Sequence, residues 1–147
     1  QGSVVMENKI KQGFQKQEFM KTIGAELGKI SPGKCELFLP FNEKLTQQHG
    51  LFHGGVLATI ADNSAGFAAY SLMENEYQPL TIEFKINLLS YSVGKNVISK
   101  AEVLRAGRQI FHVRSDVFSI DIDDELLIAT SLATIKSSKS LTEINNL

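Results

Sequence analysis

The clearest pattern in the chain is a strict alternation of apolar and polar residues between positions 80 and 88. A period of two predicts a β-strand with one face on the core and the other toward solvent. Similar strand-like runs follow at residues 97–104, 110–120 and 125–135, separated by turns at Gly107 and at residues 121–124. Short turns between long strands predict an antiparallel meander in the second half of the chain.

The first half of the chain favours helices and short strands. Apolar residues at helical spacing predict an amphipathic helix over residues 11–27, and short strands are expected at 26–30 and 35–41, with a turn at 31–33. Residues 53–72 lack proline, carry few polar groups and are rich in alanine and glycine. This composition predicts a long helix that is buried on most sides and closely approached by neighbouring backbone.

These elements predict an α+β fold, with an antiparallel sheet wrapped around one long central helix and an additional N-terminal helix. We expect one domain over residues 9–137. Residues 1–8 are expected to be disordered or vector-derived, with residues 1–5 preceding a native start at Met6. Residues 138–147 are expected to form a polar tail. Fraying of the preceding strand is expected from residue 136 onward.

Composition narrows the function. The 147 residues carry a formal net charge of −1, which argues against nucleic acid as the main partner. A single cysteine, Cys35, excludes an intrachain disulfide framework and is expected to be a packed thiol. No apolar run reaches the roughly 20 residues that span a bilayer, and no signal peptide is visible, so we expect a cytoplasmic protein without a membrane partner.

Candidate chemistry begins where the long helix starts, at His53-Gly54-Gly55. Two glycines at a helix N-terminus leave approachable backbone N–H groups, and the helix dipole is positive there. Such a site suits an anion or a carbonyl oxygen that develops negative charge. The alternative is that His53 only caps the helix and that the glycines only allow tight packing.

Asp62 lies inside the same helix. An ionised carboxylate in a buried helix is costly unless it is hydrogen-bonded or partly solvated. A structural Asp with a local partner is one interpretation. A carboxylate that faces a cleft is the other, and it would be a candidate general base or nucleophile.

The spacing of Gly54 and Asp62 carries further information. Eight residues correspond to about 12 Å along a helix axis, too far for both groups to reach one carbonyl carbon. Two antiparallel copies of the helix in a two-fold dimer would bring the Asp of one subunit to the glycine-rich start of the other. We therefore expect a homodimer at minimum, and a tetramer by further association of exposed sheet edges.

The segment His49-Gly50-x-x-His53-Gly54-Gly55-Val56, followed by Ala61-Asp62 and by Thr81 in the next strand, resembles the hotdog-fold acyl-CoA thioesterases of the PaaI-like, phenylacetate-pathway type. The similarity in strand pattern covers roughly residues 26–135. The resemblance implies hydrolysis of an acyl-CoA to a free acid and CoA. It implies no cofactor other than the CoA of the substrate.

The resemblance also implies residue roles. The Gly54 N–H would polarise the thioester carbonyl, and Asp62 of the other subunit would attack it or activate water. Thr81 would orient that water, and His53 would hold the loop or touch the thioester. The family often has Asn six residues before the motif histidine, where this chain has Gln47, whose longer side chain makes similar hydrogen bonds with a different reach.

Substrate contacts follow from the same resemblance. CoA is anionic, so the basic residues Arg105, Arg108, Lys136 and Lys139 are candidates for its phosphates, with an ordinary solvated surface as the alternative. Gly55 is expected beside the substrate at the helix start. The acyl group needs an apolar pocket, for which the candidates are Phe52, Phe67, Tyr70 and Leu72.

Two other functions compete with thioester hydrolysis. A hotdog protein of this kind can bind acyl-CoA without hydrolysing it, although no regulatory domain accompanies the fold within 147 residues. A dehydratase or hydratase is disfavoured because the histidine is tied to the Gly-Gly turn. The two histidines His49 and His53 lack a third ligand, so no metal site is expected.

Overall fold

The computed structural model describes residues 2–139. Within these residues, four helical segments and six strands follow one another. They are α1 (Gly2–Gln15), α2 (Glu18–Ile23), β1 (Glu26–Ser31), β2 (Lys34–Leu39), a 3-10 turn (Glu43–Leu45), α3 (Gly54–Tyr70), β3 (Gln78–Leu88), β4 (Asn96–Ala106), β5 (Ile110–Asp121) and β6 (Asp124–Ser138).

The six strands form one antiparallel sheet in the order β1-β2-β4-β5-β6-β3. Helix α3 packs against five of these strands, β2 to β6, and lies across one face of the sheet. This is the hotdog arrangement that the sequence predicted, with α3 as the central helix and β3 at one edge of the sheet.

The core lies between α3 and the sheet, because alternate strand residues point toward the helix. Ile60, Ala61, Ala65 and Ala68 of α3 are fully buried there. Small side chains on this face let the helix sit close to the strands. One stripe of α3 stays partly open, formed by Ala58, Thr59, Asp62, Asn63 and Gly66.

The N-terminal region differs from the prediction. The single helix expected over residues 11–27 is two helices, because Gln17 adopts an extended conformation and Gly24 ends α2 in the left-handed region at φ 78°. Helix α1 begins at Gly2, so residues 2–8 are helical and the expected disorder there was wrong. Met6 and Ile10 of α1 are buried against the core, which explains why the helix forms.

The end of the sheet also differs. Fraying was expected from residue 136, yet β6 continues to Ser138, because residues 136–138 pair with the start of β3. Ser137 and Ser138 are buried there. The remainder of the predicted polar tail, residues 140–147, lies outside the described residues.

Three buried serines join α3 to the sheet. The hydroxyls of Ser64 on α3, Ser99 on β4 and Ser115 on β5 lie within hydrogen-bond distance of one another. The carbonyls of Ala61 and Ile60, the two residues before Asp62, are acceptors within reach of Ser64 and Ser99, so the three hydroxyl protons are shared among these contacts. This serine triangle satisfies polar groups inside the core and fixes the helix at the turn that carries Asp62.

Candidate active site

The His-Gly-Gly segment forms the start of α3, where His53 and Gly55 are exposed to solvent. His53 is the N-cap, and its Nδ1 accepts a 3.0 Å hydrogen bond from the N–H of Gly55. In the neutral imidazole, acceptance at Nδ1 leaves the proton on Nε2. His53 therefore caps the helix, as the structural interpretation predicted, while its exposed ring edge still presents a donor.

The N–H of Gly54 is the free donor of this turn. The carbonyl of His53 accepts from Val56 and Leu57, and the N–H of Gly55 is taken by His53. Within residues 2–139, no acceptor pairs with the N–H of Gly54. A free N–H at the positive end of a 17-residue helix is suited to stabilise developing negative charge on an oxygen.

The loop before α3 is held by Gln47. Its Oε1 accepts hydrogen bonds from the N–H groups of His49, at 2.6 Å, and Leu51, at 3.3 Å. Its backbone N–H also donates to the carbonyl of Leu51. Gln47 thus shapes the turn that delivers His53 and Gly54, and it also lines the cavity beside Gly54.

Asp62 lies on the open stripe of α3 and is half-buried. Its Oδ1 accepts a 2.8 Å hydrogen bond from the hydroxyl of Thr81 on β3. Burial raises the pKa of Asp62 above its ordinary value, and the Thr81 hydrogen bond opposes this shift. The carboxylate therefore faces a cleft with a single local partner among the described residues.

Two adjoining clefts open at Asp62, both lined by Gln17, Asp62 and Asn63. The larger one, of about 580 Å³, also contacts Phe19, Ala58, Thr59 and Phe84. The smaller one, of about 120 Å³, also contacts Gly66, Phe67, Pro79 and Thr81. The amide nitrogen of Asn63 is buried without a hydrogen-bond partner in the described part of the chain.

A third cavity lies beside Gly54 and has a volume of about 260 Å³. It shares no lining residue with the clefts at Asp62. Gly54 and Asp62 are separated by eight residues of one continuous helix, or about 12 Å. Within one chain, the structure brings Asp62 to Thr81 and Gln47 to Gly54, and it keeps these two pairs apart.

The predicted substrate contacts are spread over the fold. Phe52 is buried and lines the cavity beside Gly54, whereas Phe67 lines a cleft at Asp62. Tyr70 packs in the core near α1, and Leu72 is exposed beyond the end of α3. Neither Tyr70 nor Leu72 lies at these three openings.

The basic candidates lie at one end of the sheet. Arg105 and Arg108 are exposed at the turn between β4 and β5. Lys136 on β6 pairs in register with Leu80 of β3, one position from Thr81. Because side chains alternate along a strand, Lys136 and Thr81 lie on opposite faces of the sheet. The role of these cations toward CoA stays a prediction.

The cysteine is not part of this arrangement. Cys35 is fully buried on β2, and burial raises the pKa of its thiol to about 12. A thiol that stays protonated is a poor nucleophile, in keeping with the packed side chain predicted from the sequence.

Among residues 2–139, no group of three His, Cys, Asp or Glu side chains is placed to hold a metal ion. No helix there is long and apolar enough to cross a bilayer.

Sequence reasoning missed the segment after β3. One wall of the cavity beside Gly54 is formed by Leu88, the last residue of β3, and by the four residues that follow it, Leu89, Ser90, Tyr91 and Ser92. The segment is anchored by hydrogen bonds from Leu89 and Ser90 to the carbonyl of Ile128 and by a bridge between Val93 and Leu51. The signal available in the sequence was the apolar residues Leu89 and Tyr91, which directly follow the alternating run of residues 80–88.

Comparisons with known proteins identify relatives of this chain. The family model of the thioesterase superfamily matches residues 49–126, from the first motif histidine into β6. The 1,4-dihydroxy-2-naphthoyl-CoA hydrolase of Listeria monocytogenes is 30% identical over 121 residues, covering 81% of this chain and 94% of that protein.

Solved structures of two further proteins are also similar to this chain. A thioesterase family protein from Silicibacter pomeroyi is 36% identical with a TM-score of 0.89, covering 92% of this chain and 99% of that one. The PaaI protein from the phenylacetic acid degradation operon of E. coli shares the fold at 15% identity, with a TM-score of 0.86 over 95% of this chain and 98% of its own.

The chain belongs to the thioesterase superfamily. It is a thioester hydrolase of the hotdog fold, and its general reaction is the hydrolysis of acyl-CoA thioesters.

Proposed function

We propose that the protein hydrolyses acyl-CoA at a site built from two subunits, in which Gly54 of one chain and Asp62 of the other act on the same thioester. The observation that carries the proposal is the separation of these two groups within one chain. The free N–H of Gly54 and the cleft of Asp62 open at different places on α3.

The edge strand β3 supports a two-fold arrangement. β3 pairs with β6 on one side, and within residues 2–139 no strand covers its other side. It runs antiparallel to α3, because Thr81 contacts Asp62 whereas Leu88 lies against Gly54. Edge strands with unpaired backbone groups readily pair with a second copy.

Pairing of two β3 strands about an axis between Phe84 and Lys85 would set Thr81 opposite the partner subunit's Leu88. The Asp62–Thr81 pair of one chain would then approach the partner's Gly54. Small or polar residues along the open stripe of α3 leave room for the second helix. The exposed apolar residue Ile82 on β3 would gain cover in the same contact.

The groups then have complementary tasks. The N–H of Gly54 stabilises the oxyanion that forms when the thioester carbonyl is attacked. Asp62 attacks the carbonyl or removes a proton from water, and its raised pKa makes it a better base than an ordinary aspartate. Thr81 holds Asp62 in place and orients the water. Gln47 and His53 shape the turn before α3, and Gly55 supports the helix start. Phe52 borders the acyl group. The phosphates of CoA are attracted by the basic residues Arg105, Arg108 and Lys136.

The first test is thiol release from a panel of acyl-CoAs by the wild type and by Asp62→Asn, which keeps an acceptor for Thr81. We expect a loss of about 10² to 10⁴-fold in kcat for the variant, as is typical when a general base is removed. Binding of acyl-CoA without turnover by the wild type would instead support a binding protein.

Removal of the Gly54 donor is tested with a matched pair. Gly54→Pro deletes the N–H at the first helical position, where proline is tolerated, and His53 already has the extended backbone that precedes proline. Gly54→Ala adds a comparable Cβ and keeps the N–H. We expect Gly54→Pro to lose about 10² to 10³-fold in kcat and Gly54→Ala far less.

Mixing the two inactive chains tests the shared site. A dimer of one Asp62→Asn chain and one Gly54→Pro chain contains one intact site and one doubly defective site. Random pairing after joint refolding should therefore restore about a quarter of wild-type activity. No recovery in verified mixed dimers would show that each site belongs to one chain.

A further inference from the structure

Gln17 joins α1 to α2 at the border of the two clefts that open at Asp62. It lines both clefts, together with Asp62 and Asn63. Its backbone N–H donates a hydrogen bond to the carbonyl of Phe14. Buried side chains anchor the helices on either side of it, namely Ile10 of α1 and Met20 and Ile23 of α2. Residue 17 is therefore held in place beside the candidate carboxylate.

The side chain of Gln17 does not serve the helix that it precedes. Gln17 is the N-cap of α2 and has the extended backbone of a capping residue, yet its side chain makes no cap hydrogen bond. The residues that cap a helix well are Asn, Asp, Ser and Thr. Stability of α2 therefore does not account for a glutamine at this position.

The amide of Gln17 is unbonded and open. Within residues 2–139, no group hydrogen-bonds this half-buried side chain. Both of its polar atoms remain accessible, whereas the amide nitrogen of Asn63 is closed off. Of the two amides that border the clefts, only that of Gln17 offers an accessible donor together with an accessible acceptor.

The smaller of the two clefts is sized for water. Its volume of about 120 Å³ is well below the roughly 300 Å³ of the smallest typical ligand pockets, and it has room for a few water molecules at about 30 Å³ each. Thr81 donates to Oδ1 of Asp62, so Oδ2 is left unbonded by the described residues and stays accessible. Two free acceptors thus border this cleft, Oδ2 of Asp62 and Oε1 of Gln17.

We propose that Gln17 holds the attacking water of the hydrolysis, with Asp62 of the same chain as the general base. This assignment rests on the proposed function. The two acceptors take one proton of the water each, which directs a lone pair of its oxygen at the thioester carbonyl. The oxygen adds to the carbonyl carbon as one proton passes to Oδ2 of Asp62. The C–S bond then breaks, and the sulfur of CoA takes that proton.

Two variants test the contact with the water, measured by thiol release from the best substrate of the acyl-CoA panel. Gln17→Met keeps the unbranched shape and removes the acceptor. Its kcat should fall about tenfold, the effect of one hydrogen bond, with KM within about twofold of wild type and an unchanged pH profile. Gln17→Glu keeps an acceptor, so it should retain most of kcat at high pH.

The negative charge of Gln17→Glu also reports how near residue 17 lies to the base. A second carboxylate at the cleft raises the pKa of Asp62, so the acid limb of kcat should move to higher pH. Among the described residues, the ionisable side chains that line the two clefts are Asp62 and Glu18, and Glu18 is paired with Lys21.

Gln17→Asn sets a catalytic role against a structural one. Asparagine caps helices well, so its shorter side chain should turn to the N–H groups of α2 and raise the Tm. The same turn withdraws the amide from the cleft, and kcat should fall as in Gln17→Met. A purely structural role predicts that kcat is kept or increased as the Tm rises, and that result would overturn the assignment.

Gln15→Met is the matched control, because Gln15 is exposed on α1 and lines neither cleft. It should keep the kcat and the pH profile of the wild type. An unchanged kcat in Gln17→Met, or an acid limb that stays in place in Gln17→Glu, would overturn the assignment of Gln17. A wild type without activity on any acyl-CoA, or an Asp62→Asn variant that keeps the wild-type rate, would instead contradict the proposed function itself.

Discussion

The hydroxyl of Thr81 donates a 2.8 Å hydrogen bond to Oδ1 of Asp62 and so ties the edge strand β3 to the middle of α3. The same contact opposes the effect of burial on the carboxylate, since burial raises the pKa of Asp62 and the hydrogen bond lowers it. Oδ2 accepts no hydrogen bond from residues 2–139 and is available to substrate or water. The position of Asp62 therefore depends on this one neighbour, Thr81, and its pKa depends on the balance between burial and the Thr81 hydrogen bond.

Substitution of that neighbour should change the pH dependence. Thr81→Val keeps the shape of the side chain and removes the donor, so the pKa of Asp62 should rise further. If Asp62 acts as the carboxylate, activity falls as pH drops through its pKa, and the acid limb of kcat should move to higher pH. We expect kcat at the plateau to fall about tenfold, within the effect of one hydrogen bond to a charged group.

Thr81→Ser is the matched control, because it retains the hydroxyl and should keep the wild-type profile. An acid limb that stays in place in Thr81→Val would show that the titrating group is not Asp62.

Asp62 should lower stability at neutral pH. A carboxyl whose pKa is raised in the folded state is favoured as the neutral acid. Its contribution to stability is therefore present below the ordinary value of 3.8 and is lost as pH rises through the raised pKa. Asp62→Asn cannot ionise and still accepts from Thr81, so its Tm should exceed that of the wild type at pH 7. The partial exposure of Asp62 limits the gain to a few degrees.

Differential scanning calorimetry across pH tests this sign. The Tm advantage of Asp62→Asn should shrink as pH falls and vanish near pH 4 or below. A variant that is less stable than the wild type at neutral pH would contradict the assignment.

Substitution of Gly54 by alanine should leave the fold intact but change the shape of the cavity beside it. A Cβ at Gly54 would lie 2.9 Å from Cδ1 of Leu88, which is the mobile end of an exposed side chain. Gly54→Ala should fold normally, displace Leu88 and raise KM severalfold with a smaller change in kcat, because the N–H remains. Leu88→Ala in the same chain should relieve the contact and recover most of the loss, a coupling that a double-mutant cycle measures.

The control for this cycle is Leu88→Ala alone, which should change KM by less than Gly54→Ala. Additive effects in the double variant would show that the two side chains do not compete for space.

The serine triangle of Ser64, Ser99 and Ser115 should contribute to the free energy of unfolding, because it joins α3 to the sheet. Ser115→Ala removes one of the three clustered hydroxyls, while Ser64 and Ser99 keep the carbonyls of Ala61 and Ile60 as acceptors. We expect a cost of about 1 kcal/mol in the free energy of unfolding. The triple alanine variant should lose less than the sum of the single variants, because the three bonds depend on one another. Urea unfolding measures both, and strict additivity would argue against a connected network.

Periodicity alone was enough to predict the sheet. The strict alternation at residues 80–88 and the small residues of α3 predict a half-exposed strand and a closely packed helix, and both are present as β3 and α3. The local rule predicts both elements, but it does not predict which strand residues are buried, because a register shift between Thr81 and Glu83 interrupts the alternation and Ile82 and Leu88 are exposed. The same rules failed at residues 2–8, where Met6 and Ile10 become buried only when the sheet and α3 supply a surface.

The sequence by itself determined the fold class, the thioesterase resemblance and the position of a carboxylate and a glycine-rich turn on one helix. Only the tertiary structure decided which of the two glycines keeps a free N–H, because that depends on the side chain of His53. It alone joined Asp62 to Thr81, which are 19 residues apart. It also formed the cavity beside Gly54, which is lined by the loop before α3 and by the segment after β3. Contacts between distant segments arise from packing of the whole chain, and no local pattern records them.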